Sequence, residues 1–563
     1  MRILGINSVY HESAAAIIVD GRIAAAAEEE RFTRVKHAKP ARVDNPHLLP
    51  ERSIHFCLDY AGLASRDIDA VAFSFDPALR QREFELDPDS LAGDWGDAAG
   101  ERVFLGKLAL VAPAIDASLG RQLGDRLEFL PHHLAHAASS FYPSGMEKAA
   151  IMVLDGIGEA GCTTLALGDA AGIKPLRRVF FPHSIGFVWE KLSAYLGFSE
   201  YDASKAMGLA AYGDPTRLAD QFAHLMSLTP DGYRVDRAVA RFRVPDFEPL
   251  EVLFGPRREE GGPILPHHRD VAATLQAATD AAVTSIAEEL HAMTGCADLC
   301  IAGGVGLNCV SNTVVKEDSA FSRLYIPPAP HDAGTAIGAA LHLDHVLSGG
   351  RTASPDYNPY MGPEFGAAEI AQALEAAGLP LRRSPDPARE AAAMIAAGKI
   401  VAWFQGRMEF GPRALGNRSL LADPRDPAMR GFMNRKVKHR EDFRPFAPSA
   451  LAEAAPGWFD IGRPSVSHAY MLFACPARPE KRAQIPAVLH VDGSARLQLV
   501  HRDLNPLFHA LISHFQTLTG VPLVLNTSFN DSEPIVCSPA DAIATFRKTA
   551  IDALVMDDFV VAR

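Results

Sequence analysis

Twice in this chain an apolar strand meets a polar turn and returns as a second strand, and a further strand then runs into a double glycine. Residues 3–6 and 14–19 read as strands, Asp20-Gly21 as a hairpin turn, and 22–27 as the returning strand. The pattern recurs at 149–154, where Asp155-Gly156-Ile157-Gly158 makes a tight turn and 163–167 returns. Residues 299–302 form a third strand, ending in Gly303-Gly304-Val305-Gly306-Leu307-Asn308. Helical stretches lie between, such as 271–293. This is the grammar of a duplicated α/β fold that holds a nucleotide in its cleft. Strand–turn–strand units aim backbone amides at phosphates, and paired glycines let the chain approach adenosine closely.

The superfamily of actin, hexokinase and the sugar kinases is built on this plan. Asp332 looks like the N-cap of a helix reaching residue 341. The Gly/Pro/Ser-rich stretch 348–363 reads as a linker between a domain at 1–347 and a second α/β domain at 364–563. In the second domain, Asp386-Pro387 opens a helix over 387–397, residues 400–404 form a strand, and Ser538-Pro539-Ala540-Asp541 opens a late helix. A chain of 563 residues fits two or three domains.

The formal charge of −13 argues against a nucleic-acid partner, since phosphate backbones require a basic surplus. Seven single cysteines with no CxxC pair fit a reducing compartment. The start of the chain reads as a strand followed at once by His11 and Glu12, without an apolar leader core, and no long apolar run suggests a membrane span. The expectation is a cytoplasmic protein. A homodimer would be ordinary.

The sharpest chemical signal in the first half is His132-His133-Leu134-Ala135-His136. On a helix, His132 and His136 share a face and His133 points about 100° away. Two imidazoles suit Fe²⁺, Zn²⁺ or Mn²⁺ and need acidic partners, for which Asp155 and Asp332 sit in suitable turns. His11, at the first strand turn, is of the residue type that suits a general base. The mixed-sign run from Glu28 to His37 has the composition of a solvated, ion-paired face. The second half carries two arginine-rich segments, 406–419 and 434–446, with Arg413, Arg418, Lys438 and Arg444 among their cations. Interleaved Gly, Pro and Phe favour a polyphosphate pocket over a surface loop. Arg496 and the strand end at 525–530, with Asn526 and Ser528, add donors. Neither a GxxxxGK[ST] loop nor a GxSxG elbow is present.

Several blocks in order resemble the NodU/CmcH carbamoyltransferases over essentially the full length. They are YHESAA around His11, EEERFTR (28–34), HHLAHAASSFY (132–142), FPHSIG (181–186), KAMGLAAYG (205–213), AGGVGLNC (302–309), EFGPRALGNRS (409–419), NRKVKHREDFRPFAP (434–448) and LNTSFN (525–530). The resemblance implies an actin-like domain, similar to the universal tRNA threonylcarbamoyladenosine transferase, followed by a YrdC-like domain. It implies that ATP, with Mg²⁺, and carbamoyl phosphate give carbamoyl-AMP in the second domain, and that a small-molecule hydroxyl is carbamoylated in the first. Carried over by motif, His132, His136, Asp155 and Asp332 hold the metal, Fe²⁺ before Zn²⁺ or Mn²⁺. His11 acts beside the carbamoyl group as base or orienter. Gly303, Gly304 and Asn308 face adenosine. Lys438, Arg444, Arg496, Asn526 and Ser528 line the adenylating site, with Arg413 and Arg418 nearby. Asp202 and Lys205 edge the cleft.

Two other enzymatic readings compete. A tRNA threonylcarbamoyladenosine enzyme would share both folds, but the acidic charge and insertions such as 87–106 oppose it. A metabolite kinase of the actin class would leave the arginine-rich half without a task. A third competing reading is non-catalytic: a nucleotide-sensing scaffold, which would bind ATP without turnover. The acceptor has no code in the sequence.

Overall fold

A computed structural model of the chain describes residues 1–86, 98–229, 232–350 and 358–563. The insertion at 87–106 and the linker at 348–363 lie partly outside the described residues. The chain divides into two compact units, Met1–Glu29 with His37–Tyr357, and Glu30–Lys36 with Asn358–Arg563.

The first unit contains two five-stranded sheets with the same wiring. In one, β1 (Arg2–Asn7), β2 (Ala14–Val19), β3 (Arg22–Glu28), β4 (Ala70–Phe73) and β5 (Leu127–Phe129) run in the order β3-β2-β1-β4-β5. β1–β2 and β2–β3 are antiparallel, while β1–β4 and β4–β5 are parallel. After β6 (Ala149–Leu154), β7 (Gly161–Asp169) and β8 (Gly172–Phe180), a hairpin of β9 (Met226–Thr229) and β10 (Gly232–Val235) intervenes. β11 (Asp298–Ala302) and β12 (Arg323–Tyr325) then complete the second sheet, ordered β12-β11-β6-β7-β8. Its first three strands are again antiparallel, and β6–β11 and β11–β12 are parallel. Three antiparallel strands plus two parallel ones, repeated, make the duplicated actin-like plan of the sequence.

Glycines let the helices close on these sheets. The helix Ala333–Leu347 lies against β1 and against the helix His132–Phe141. A Cβ at Gly5 would stand 1.9 Å from the Ala336 carbonyl oxygen, and one at Gly338 would stand 1.8 Å from that of Ala135. Both positions require bare backbone, because any methyl group would overlap an oxygen. The long helix expected over 271–293 spans Pro266–Thr294.

The second unit is built on one mixed seven-stranded sheet. Its strands are β13 (Val401–Phe404), β14 (Arg418–Ala422), β15 (Ala447–Leu451), β18 (Gln498–Val500), β19 (Leu523–Ser528), β20 (Ala553–Met556) and β21 (Phe559–Ala562). Their order is β18-β15-β19-β14-β13-β20-β21, and β16 (Ala474–Pro476) and β17 (Ser494–Arg496) form a separate pair. The expected helix starts are present. Asp386 caps Pro387–Ala396, and Ser538 and Asp541 form a reciprocal capping box on Pro539–Lys548.

The run from Glu28 to His37 departs from its expected solvated character. Its central residues, Glu30–Lys36, belong to the second unit. Arg31 is 3% exposed and donates to the Gly411 carbonyl at 2.8 Å. Arg34 donates to the carbonyls of Pro534 and Ile535, both at 2.6 Å, and Phe32 packs on Met408, Ile535 and Cys537. The charges serve buried carbonyls, which composition alone does not reveal.

Candidate functional site

His132 opens its helix directly after Pro131, which has no side chain to cap it. The cap comes from Glu159, in the turn after β6. Its Oε1 accepts from the backbone amides of His132 and Asp76, both at 2.9 Å. A carboxylate at a helix start also suits the helix dipole. His132 Nδ1 donates to the Ser74 carbonyl at 2.9 Å, so in the neutral ring the lone pair belongs to Nε2. One helical turn later His136 presents its own Nε2, and the two rings stand 4.6 Å apart, nearly perpendicular.

These nitrogens face two carboxylates. Asp155 Oδ2 lies 3.8 Å from both Nε2 atoms, and Asp332 Oδ1 lies 3.5 Å from that of His132 and 3.4 Å from that of His136. All four residues are buried, their ligand atoms fall within 4.8 Å of one another, and neither Nε2 has a hydrogen-bond partner. A tetrahedral ion with bonds of about 2.1 Å would separate neighbouring ligand atoms by about 3.4 Å. The residues therefore fit a divalent ion, with two negative charges to balance it. Burial would depress the His132 imidazole, but Asp332 and Asp155 lift it to about 9. Burial would raise the Asp332 carboxyl, but His132, His136 and His11 hold it well below the usual carboxylate range. Asp332 stands at the N-cap position of its helix, yet makes no side-chain cap. Its carboxylate is turned to the histidines, a correction to the capping expectation. His133 stays outside the quartet, its Nδ1 bonded to Thr164 Oγ1 at 2.8 Å.

The glycine strand end closes on this centre. The Gly304 amide donates to Asp155 Oδ1 at 2.9 Å. Gly303 has φ +93°, and a Cβ there would stand 2.1 Å from the Leu154 carbonyl oxygen, so only glycine fits. Asn308, expected to face adenosine, caps the helix Cys309–Asp318. Its Oδ1 accepts from the amides of Val310 and Ser311 as a helix cap, and its Nδ2 donates to Gln276. Asp202 and Lys205 pair with each other at 2.9 Å. His11 sits between two residues with positive φ, Tyr10 at +62° and Glu12 at +55°, a strained geometry that folds usually keep only where a site requires it. Its ring packs edge-on against Tyr201 at 5.3 Å. Sequence reading missed Glu190. It lies beside the Asp155–Gly156 turn, where a Cβ on Gly156 would be 3.8 Å from its Oε1, and burial pushes its carboxyl up to about 8.

In the second unit the expected cations divide into two groups. Lys438 is buried, and its Nζ donates to the Ser528 carbonyl (3.0 Å) and Oγ (3.3 Å) and to the Asn530 carbonyl (2.9 Å) and Oδ1 (2.5 Å), at the end of β19. Burial, with Arg440 and Arg444 adding repulsion, holds this lysine well below its usual range. Burial likewise depresses Arg440 to about 9, with Arg444 and Arg496 contributing. Arg440 was not singled out from the sequence; the left-handed backbone of His439, φ +42°, lies between it and Lys438. Arg413 is half-buried in the loop before β14. Arg418 and Asn526 face inward instead. Arg418 is fully buried 3.6 Å from the Phe404 ring and donates to the carbonyls of Pro363, Gln405, Gly406 and Asn417. Asn526 donates to the Ala414 carbonyl, Ser449 Oγ and Gln498 Oε1. Arg418 Nε and Asn526 Oδ1 are buried without a hydrogen-bond partner.

The models of the carbamoyltransferase N-terminus and C-terminus match residues 2–341 and 392–563. The chain belongs to the carbamoyltransferase family. An uncharacterized protein of Synechocystis sp. (strain PCC 6803) is 37% identical, with 100% of this chain and 96% of that protein covered. Nodulation protein NolNO of Sinorhizobium fredii is 37% identical over 99% of this chain and 80% of its own length. Nodulation protein U of Rhizobium tropici is 31% identical over 94% and 91%. In this carbamoyltransferase the His–Asp quartet falls within the first matched segment, and the Lys438 cluster within the second.

Proposed function

We propose that this carbamoyltransferase is ATP-dependent and acts in two steps, one in each unit. The observation that carries the reading is the gathering of Lys438, Arg440, Arg444 and Arg496, where the neighbouring arginines add to burial in pushing the Lys438 ammonium and the Arg440 guanidinium down. Such a cluster is stabilised by a polyanion, and ATP with carbamoyl phosphate supplies one. Water first releases phosphate from carbamoyl phosphate, leaving carbamate. A carbamate oxygen then attacks the α-phosphorus of ATP, and pyrophosphate leaves, its charge held by the arginines. Carbamoyl-AMP is a stronger donor than carbamoyl phosphate toward a neutral hydroxyl.

The second step belongs to the first unit. There the acceptor hydroxyl attacks the carbamoyl carbon, and AMP leaves. In this reading His11 takes the hydroxyl proton. The nucleotide is held beside the Gly303-Gly304 turn, in keeping with the resemblance of the AGGVGLNC block. An ion in the His132, His136, Asp155 and Asp332 quartet would act as a Lewis acid on developing negative charge. Two imidazoles and two carboxylates suit Fe²⁺, and also Mn²⁺ or Zn²⁺. The acceptor is a small molecule rather than tRNA, in keeping with a net charge of −13.

The test needs no acceptor. The full chain is incubated with ATP and Mg²⁺, with and without carbamoyl phosphate, and pyrophosphate and AMP are measured. Pyrophosphate that depends on carbamoyl phosphate, and falls at least about 100-fold in Lys438→Ala or Arg444→Ala, is the expected result. Release of ADP, or no carbamoyl-dependent pyrophosphate, would overturn the adenylate route.

A further inference from the structure

Beside the His–Asp quartet, a second cluster of ligand-type side chains is built into the first unit, on different elements. Glu28 ends β3, opposite Ala14 of β2. Glu12 lies in the strained turn after β1, with φ +55°. His331 directly precedes Asp332. All three side chains are about nine-tenths buried. Their ligand atoms lie within 4.8 Å of one another.

The spacing is not that of an ordinary hydrogen-bonded ion pair. His331 Nε2 stands 3.6 Å from Glu28 Oε1 and 3.9 Å from Glu12 Oε2, both beyond hydrogen-bond reach. The other ring nitrogen, Nδ1, is buried and has no hydrogen-bond partner. A buried ring nitrogen left without a partner costs about 1–3 kcal/mol. Glu12 is oriented for the task, because its other oxygen, Oε1, is held by His37 Nδ1 at 2.5 Å, which leaves Oε2 toward His331. The separations match those in the quartet, where 3.4–3.8 Å divides nitrogen from oxygen.

We infer that Glu12, Glu28 and His331 form a second divalent-cation site. Two carboxylates and one imidazole carry the charge of a first-row dication such as Mn²⁺, Fe²⁺ or Zn²⁺. Three protein ligands leave coordination positions open, as in sites that bind an oxygen of a substrate or water. The inference concerns ion binding alone and does not depend on the carbamoyl-adenylate route.

Mn²⁺ is the probe. The full chain is stripped with a chelator, dialysed to equilibrium against micromolar Mn²⁺, and its metal content per chain is measured by mass spectrometry. Wild type is expected to hold two ions. Glu28→Gln and His331→Gln should each hold one, and His132→Ala should also hold one, retained at the second site. Thermal melts establish that each variant is folded. If a Gln variant does not fold, the wild-type and His132→Ala stoichiometries decide. One ion in wild type with none in His132→Ala would overturn the inference, as would two ions in folded His331→Gln. The second result would identify His331 as a protonated partner of the two carboxylates. Two ions in His132→Ala would count against the quartet and leave the second site to the Gln variants.

Discussion

Replacing Gly338 by alanine should empty the metal centre without touching a ligand. The Cβ would stand 1.8 Å from the Ala135 carbonyl oxygen and 2.7 Å from the Ser139 amide nitrogen. Ordinary contact begins near 3.4 Å, so the helices Ala333–Leu347 and His132–Phe141 must separate by 3.4 − 1.8 = 1.6 Å along that line. The first helix follows Asp332, and the second carries His132 and His136. Metal–ligand distances tolerate only about 0.2 Å. If neighbouring structure absorbed four-fifths of the shift, about 0.3 Å would remain, still outside that tolerance. Misplacement of this kind should lower ion affinity by about 100-fold, and overpacking should cost about 1–3 kcal/mol of stability. The assay is Mn²⁺ affinity of the stripped protein alongside a thermal melt. Gly106→Ala, on a helix with nothing within 4 Å of its added Cβ, is the control and should leave affinity unchanged. Wild-type affinity and melting temperature in Gly338→Ala would refute the claim that this glycine contact sets the ligand geometry.

Three further outcomes follow from named contacts. Glu159→Ala removes the shared carboxylate on the His132 and Asp76 amides, and should cost about 1 kcal/mol in denaturant unfolding together with a weaker ion affinity; a cost without an affinity change would make Glu159 structural only. Arg418→Met leaves the carbonyls of Pro363, Gln405 and Gly406 without their buried donor, and should destabilise the chain by about 3–5 kcal/mol, whereas Lys438→Ala should impair pyrophosphate release; the reverse pattern would exchange their roles. Glu190 has a folded-state pKa raised to about 8 by burial, so its neutral form favours the fold. Its stabilising contribution should be complete below the ordinary glutamate range, and should fall as pH rises from there through 8. Glu190→Gln should flatten that part of the melting-temperature profile, and identical profiles for the two proteins would contradict the shift.

The duplicated sheets were legible because strands alternate with turn residues at a local scale, and Asp20-Gly21, Asp155-Gly156 and Gly303-Gly304 punctuate them in order. The quartet was legible for a mixed reason. The four-residue spacing of His132 and His136 is a helical fact written in sequence, whereas Asp155 and Asp332 enter by motif and by position in turns. What local pattern cannot carry is the direction of a side chain whose partners are distant in sequence. Asp332 has the sequence position of a helix cap, but two histidines nearly 200 residues earlier present a stronger claim on its carboxylate. Arg418 has the composition of a phosphate ligand, but the carbonyls left unpaired by the Gly406 and Asn417 turns take its donors. Glu12, Glu28 and His331 are farther still from any short motif, because β1–β2 pairing, β2–β3 pairing and the loop after β12 must all form before the three side chains meet. Residue type therefore marks where chemistry is available, and strand pairing decides which of those side chains are turned toward one another.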